Sequence, residues 1–233
     1  MTALSALNAN NSGQAFFNVN IKAIRQTIAL AKAHEAETGH LEHLLQHCIS
    51  QGMHLAIQLP REQPAKHLLA FAVAYIEHVP DFLQAAQAIT RGAHIERLAN
   101  PFLKLAEDFF LKPPELVNQR VGLDELLDEA YLAHRLLEEV NDHYMANTGI
   151  PLIPLDMTIS NLIVHHLIGE PFANELDEAV SFAVEQVSKK SRPQRSRYWQ
   201  DYRQSHDGNR WDVELNAWPC LTDTLSIKLQ LPN

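Results

Sequence analysis

The sequence predicts a mainly α fold, a multi-helix bundle ending in a short C-terminal β-hairpin. Apolar residues recur at three- and four-residue spacing from Ile21 to Val187, and glycines and prolines cut this pattern into helix-sized lengths. Beyond residue 210 the period changes to two, which is the spacing of a strand.

Residues 1–17 are rich in Asn, Ser, Ala and Gly and read as a flexible arm, tacked down by Phe16 and Phe17. The bundle domain occupies residues 18–190. Its first helix carries Ile21, Ile24, Ile28 and Ala31 and ends at Gly39. A second helix, burying Leu41, Leu45, Cys48, Leu55 and Leu59, is expected to run as far as Pro60. Pro64 suits the first turn of a third helix built on Leu68, Leu69, Ala72, Val73 and Ile76. Pro80 is expected to bend or break it, with Asp81–Thr90 continuing to Gly92.

A further helix, His94–Leu111, presents Phe102, Ala106 and Phe109 on one face and stops before Pro113 and Pro114. The clearest helix is Leu123–Asn147, with Leu123, Leu127, Ala130, Leu137 and Tyr144 on one stripe and Gly149 closing it. The proline-containing stretch from Ile150 to Leu155 must be extended, and Asp156 is placed to cap the next helix, Met157–Ile168. That helix is apolar around most of its circumference, which predicts a central position. Pro171 opens the last one, whose face is Phe172, Leu176, Ala179, Val180, Ala183 and Val187.

Residues 191–233 read as a basic linker followed by the hairpin. Trp211, Val213 and Leu215 alternate with acids, and Leu225, Ile227, Leu229 and Leu231 alternate with polar residues. A lone hairpin is marginal in water, so it is expected to dock on its own bundle or on a second chain. Self-association through this hairpin, or a protein partner bound there, follows as an expectation.

Composition narrows the function classes. The 233 residues are 46% hydrophobic and 20% charged, with a formal charge of −9. An acidic surface repels polyanions, which argues against nucleic acid. The basic stretch Lys189–Arg203, interleaved with Tyr198, Trp199 and Tyr202, has the composition of a phosphate-binding segment, but it is read as lysines that complement a helix dipole followed by an arginine-rich linker pairing with the acidic bundle, since the rest of the chain would repel a polyanion. Leu68–Ile76 is the longest apolar run and is too short for a membrane span. Two cysteines and no basic, apolar leader suggest a reducing cytoplasm.

Histidines and amides carry the chemistry. His40, His43, His47 and His54 fall within an arc of roughly 60° if one helix holds them all. His43 and His47, four apart, have the spacing of a metal-ligating pair, with Glu35 and Glu37 nearby. His134 and Asn141 share a stripe of the long helix, flanked by Glu138, Glu139, Asp142 and His143, while Asn161 and His165 lie four apart on the following helix. Buried polar groups need partners. The expected result is an interhelical network in which His134, Glu138, Asn141, Asn161 and His165 form a ligand-binding site without a cofactor. The rival expectation is a di-iron-like oxidoreductase holding iron or another transition metal through Glu139, His143, His165 and His166, with His43 and His47 as a further pair. Against it, the Glu-x-x-His spacing of such sites occurs only at Glu37–His40, across Gly39.

Overall fold

Asn20 starts the bundle by accepting a hydrogen bond on Oδ1 from Ala23 N at 3.1 Å, which caps helix α1 (Ile21–Thr38). Gly39, at φ 61°, ends α1 and begins α2 (His40–Gln51) in the same residue. A corner this tight leaves no room for an ordinary cap on α2. The buried carboxylate of Glu35 reaches across it and accepts from Leu41 N at 2.9 Å and Glu42 N at 3.0 Å, so donors that an N-terminus leaves unpaired are satisfied from the preceding helix.

This computed structural model describes residues 17–54, 56–115, 117, 122–153, 156–189, 197–205 and 227–229. Helix α2 stops at Gln51 rather than running to Pro60, because Gly52 takes φ 103° and breaks the hydrogen-bond ladder. His54 therefore leaves the histidine edge of α2. Strand β1 (Ile57–Gln58) follows, then α3 (Pro64–Gly92), a single helix of 29 residues that Pro80 does not break. After α3 come α4 (Glu96–Leu111), α5 (Leu123–Thr148), α6 (Thr158–Ile168), α7 (Phe172–Ser188) and α8 (Arg197–Ser205). Pro101 lies inside α4 just as Pro80 lies inside α3.

Two helices organise the core. Helix α3 contributes Leu68, Phe71, Ala72, Ile76 and Val79, and α5 contributes Ala130, Leu132, Leu136 and Val140, all fully buried. Around α5 pack α1, α2, α3, α4, α6 and α7. Helix α6 is not central: Ile163 and Val164 are buried, but Ile159 and Leu162 face outward, Leu162 at 52% exposure. Its apolar composition reflects two surfaces, one in the core and one lining an open chamber. Helix α6 starts one residue later than expected, with Met157 at the cap position, and the Asp156 Oδ1 accepts from Thr158 N at 3.0 Å from just outside it.

Part of the segment read as a basic linker is helix α8. Trp199 and Tyr202, three apart, are both buried in the main core; Trp199 meets Tyr144 edge-on at 5.0 Å, and the Tyr202 hydroxyl donates to the Leu152 carbonyl at 3.2 Å. Strand β2 (Lys228–Leu229) pairs antiparallel with β1, Ile57 opposite Leu229 and Gln58 opposite Lys228. The described part of the C-terminal strand thus docks on its own bundle, anchored by fully buried Ile227. The other hairpin arm, Trp211–Leu215, lies outside the described residues, as do residues 1–16 and Cys220. No described helix is long and apolar enough to cross a membrane.

Candidate functional site

Tyr131, Arg135 and Glu138 follow one another at four- and three-residue spacing and form a polar stripe on α5. Opposite them stand Asn161 and His165 of α6 and Asn174 and Asp177 of α7, with Tyr75 reaching in from α3. The guanidinium of Arg135 bridges the two carboxylates. Its Nε donates to Asp177 Oδ1 at 2.9 Å and its Nη1 to Glu138 Oε2 at 2.6 Å. Asp177 Oδ1 also accepts from the Tyr131 hydroxyl at 2.9 Å, and Glu138 Oε2 from Asn161 Nδ2 at 2.6 Å. Asn161 Oδ1 in turn accepts from the Tyr75 hydroxyl at 2.6 Å. His165 Nε2 donates to Asn174 Oδ1 at 3.1 Å and lies 3.6 Å from Asp177 Oδ2.

Tyr131, Arg135, Glu138, Asn161, His165 and Asp177 line a cavity of about 300 Å³ together with Thr158 and Leu162, while Tyr75 and Asn174 support it from behind through Asn161 and His165. One guanidinium and two carboxylates leave a charge of −1 before any proton on His165 is counted. Burial, then the charge of Asp177, pushes the Tyr131 phenol well up, and burial does the same to Tyr75, so both remain neutral donors. Burial works against the charge of Arg135, but its bond to Asp177 and the charge of Glu138 outweigh this and raise its pKa. Among the described residues Glu138 Oε1 receives no hydrogen bond.

Three of the five residues expected to bind a ligand therefore meet at this cavity: Glu138, Asn161 and His165. His134 does not. It is wholly buried, donates from Nε2 to the Tyr75 carbonyl at 3.0 Å, and is packed against Tyr75, Phe82 and His78 at ring distances of 4.4, 4.8 and 5.5 Å. Burial, with His78 beside it, drives its pKa well below the usual imidazole value, so it is a neutral core residue. Asn141 is structural as well: its amide donates to the Ile153 carbonyl at 2.8 Å and accepts from Ile153 N at 3.0 Å.

The metal ligand set does not assemble. His43 and His47 are exposed on α2, Glu139 and His143 stay outside the cavity, and His165 is bonded to Asn174. His166 Nε2 accepts from His54 N at 3.2 Å, which occupies its lone pair. Among the described residues no three His, Cys, Asp or Glu side chains converge as a metal site needs. Glu35, near the histidine edge, is spent capping α2.

Sequence reasoning overlooked Arg135, Asp177, Tyr131, Tyr75 and Asn174. One signal was present: Arg135 is the only lysine or arginine in α5 and faces seven acids there. A lone cation at three-residue spacing from Glu138 marks a place where charge is being compensated. Asp177 gave no such sign, since its partners are two helices away. No protein-family model, curated protein or solved structure matches this chain.

Proposed function

We propose that this is a non-catalytic binding protein whose α5–α6–α7 cavity receives a small cationic ligand. The observation carrying this reading is the surplus of acceptors: Arg135 is already spent on Asp177 and Glu138, yet each carboxylate keeps one oxygen outside that bridge. A hydrogen-bond donor with a positive charge complements what remains, whereas an anion meets two carboxylates. The network supports binding in a second way. Arg135, Asn161 and Tyr131 hold both acids in position before a ligand arrives, which lowers the ordering cost of association. A cavity of about 300 Å³ lies within the range of small-molecule sites.

An NMR titration of the full chain with ethylammonium chloride tests the reading, with sodium acetate as the control. Ethylammonium should move the amide signals around Tyr131–Glu138 and Asn161–His165, and Glu138→Gln should weaken binding roughly tenfold through loss of a charge-assisted bond. Equal or tighter binding of acetate at these positions would overturn it.

A further inference from the structure

A second chamber, of about 490 Å³, adjoins the polar cavity. Leu162 and His165 line both. Beyond them the wall is formed by Ala56, Ile57 and Gly169, with the rings of His54 and His166 alongside and Glu170 at its edge. Ile57 is fixed there by the β1–β2 pairing, so this wall is part of the folded frame. His166 brings no competing cation, because burial, with His54 and His165 nearby, lowers its pKa and its Nε2 already accepts from His54 N. Leu162, like Ile159 on the same helix, faces outward beside fully buried Ile163 and Val164, and it sits where the two chambers meet.

We propose that the two chambers form one bipartite site for a primary alkylammonium ion, with the charged head between Glu138 and Asp177 and the alkyl chain lying over Leu162 toward Ala56 and Ile57. This rests on reading the polar cavity as a cation site, and adds to it the class of molecule attached to the cation. Charge complementarity selects the head group. The two carboxylates flank the cavity on α5 and α7, and the one guanidinium between them is tied to both. The chain follows from the wall: an alkyl chain laid along it buries its own methylenes and covers Leu162, over a floor that Ala56 and Ile57 already close, which a polar substituent would not do.

Calorimetric titration of the full chain with n-alkylammonium chlorides from ethyl to hexyl separates the two claims. Affinity should rise about two- to fourfold per methylene, the lower figure reflecting a groove partly open to solvent. In Leu162→Asn the ratio of hexyl to ethyl affinity should collapse toward one; residue 162 is exposed enough for this change to leave the fold intact. Ethylammonium binding with no gain along the series would overturn the bipartite site and leave the cation site standing. Failure of every ammonium to bind would overturn both, and tighter binding of hexanoate than of hexylammonium would overturn the assignment of charge.

Discussion

Asp124, Glu125, Asp128 and Glu129 stand together in the first two turns of α5, and three of them line a pocket of about 250 Å³ with Leu41, Leu45 and Cys48. Burial, then the charges of Asp124 and Glu125, pushes Asp128 up to about 7. Burial, then Asp128 and Glu125, pushes Glu129 up to about 8. Unfolded carboxyls titrate near 4, so between pH 4 and 8 the folded protein holds protons that the unfolded chain releases. Their contribution to stability is complete below about pH 4 and is lost as pH rises through 7 to 8. Asp128→Asn should therefore raise stability at pH 8 by about 1 kcal/mol, the modest size reflecting a half-buried group, and change little at pH 4. Urea midpoints at the two pH values check this, and an equal gain at both would contradict it. None of this was legible in sequence, where four acids opening a helix look like ordinary compensation of its dipole.

At the scale of elements, helix starts and stops marked by Gly39, Pro64 and Gly149 could be read directly, because each is a local backbone requirement. Where elements were misread, the cause was a local break in one case and tertiary packing in the other. Leu55 and Leu59 keep the apolar phase of α2, but Gly52 had already ended the helix. Helix α8 was hidden by composition: a stretch rich in charged and polar residues shows no sustained apolar stripe, and Trp199 and Tyr202 are held in the slot beside Tyr144 and Leu152. Trp199→Ala should accordingly cost about 3–5 kcal/mol, as other large aromatic truncations in cores do. Thermal unfolding followed by circular dichroism measures it; a loss near zero would mean that α8 does not hold on to the bundle.

Taken whole, the molecule joins its ends through contacts that no local pattern announces. Strand β2 pairs with a strand some 170 residues earlier, and Ile227 beside it is buried at 1% exposure. Ile227→Asp places a charge at that buried point and should lower the unfolding midpoint while freeing β1, readable as faster amide exchange at Gln58, since Ile57 N already donates to the His54 carbonyl. Unchanged exchange there would contradict the pairing. The candidate site shows the same division between local and distant information: Glu138, Asn161 and His165 were visible as polar residues on helices that must bury a face, whereas Asp177 and Tyr75 join them only once α3, α5 and α7 are packed. Asn141 has a consequence of this kind. A side-chain amide can copy the donor and acceptor of a peptide group, and here it stands in for a missing neighbouring strand at Ile153. The adjacent carbonyl, on Leu152, is the one that receives Tyr202. Helix α5 therefore meets the seat of α8 by two routes, the Asn141 amide acting through residues 152 and 153 and the edge-on contact of Tyr144 with Trp199, although nearly fifty residues separate the two helices.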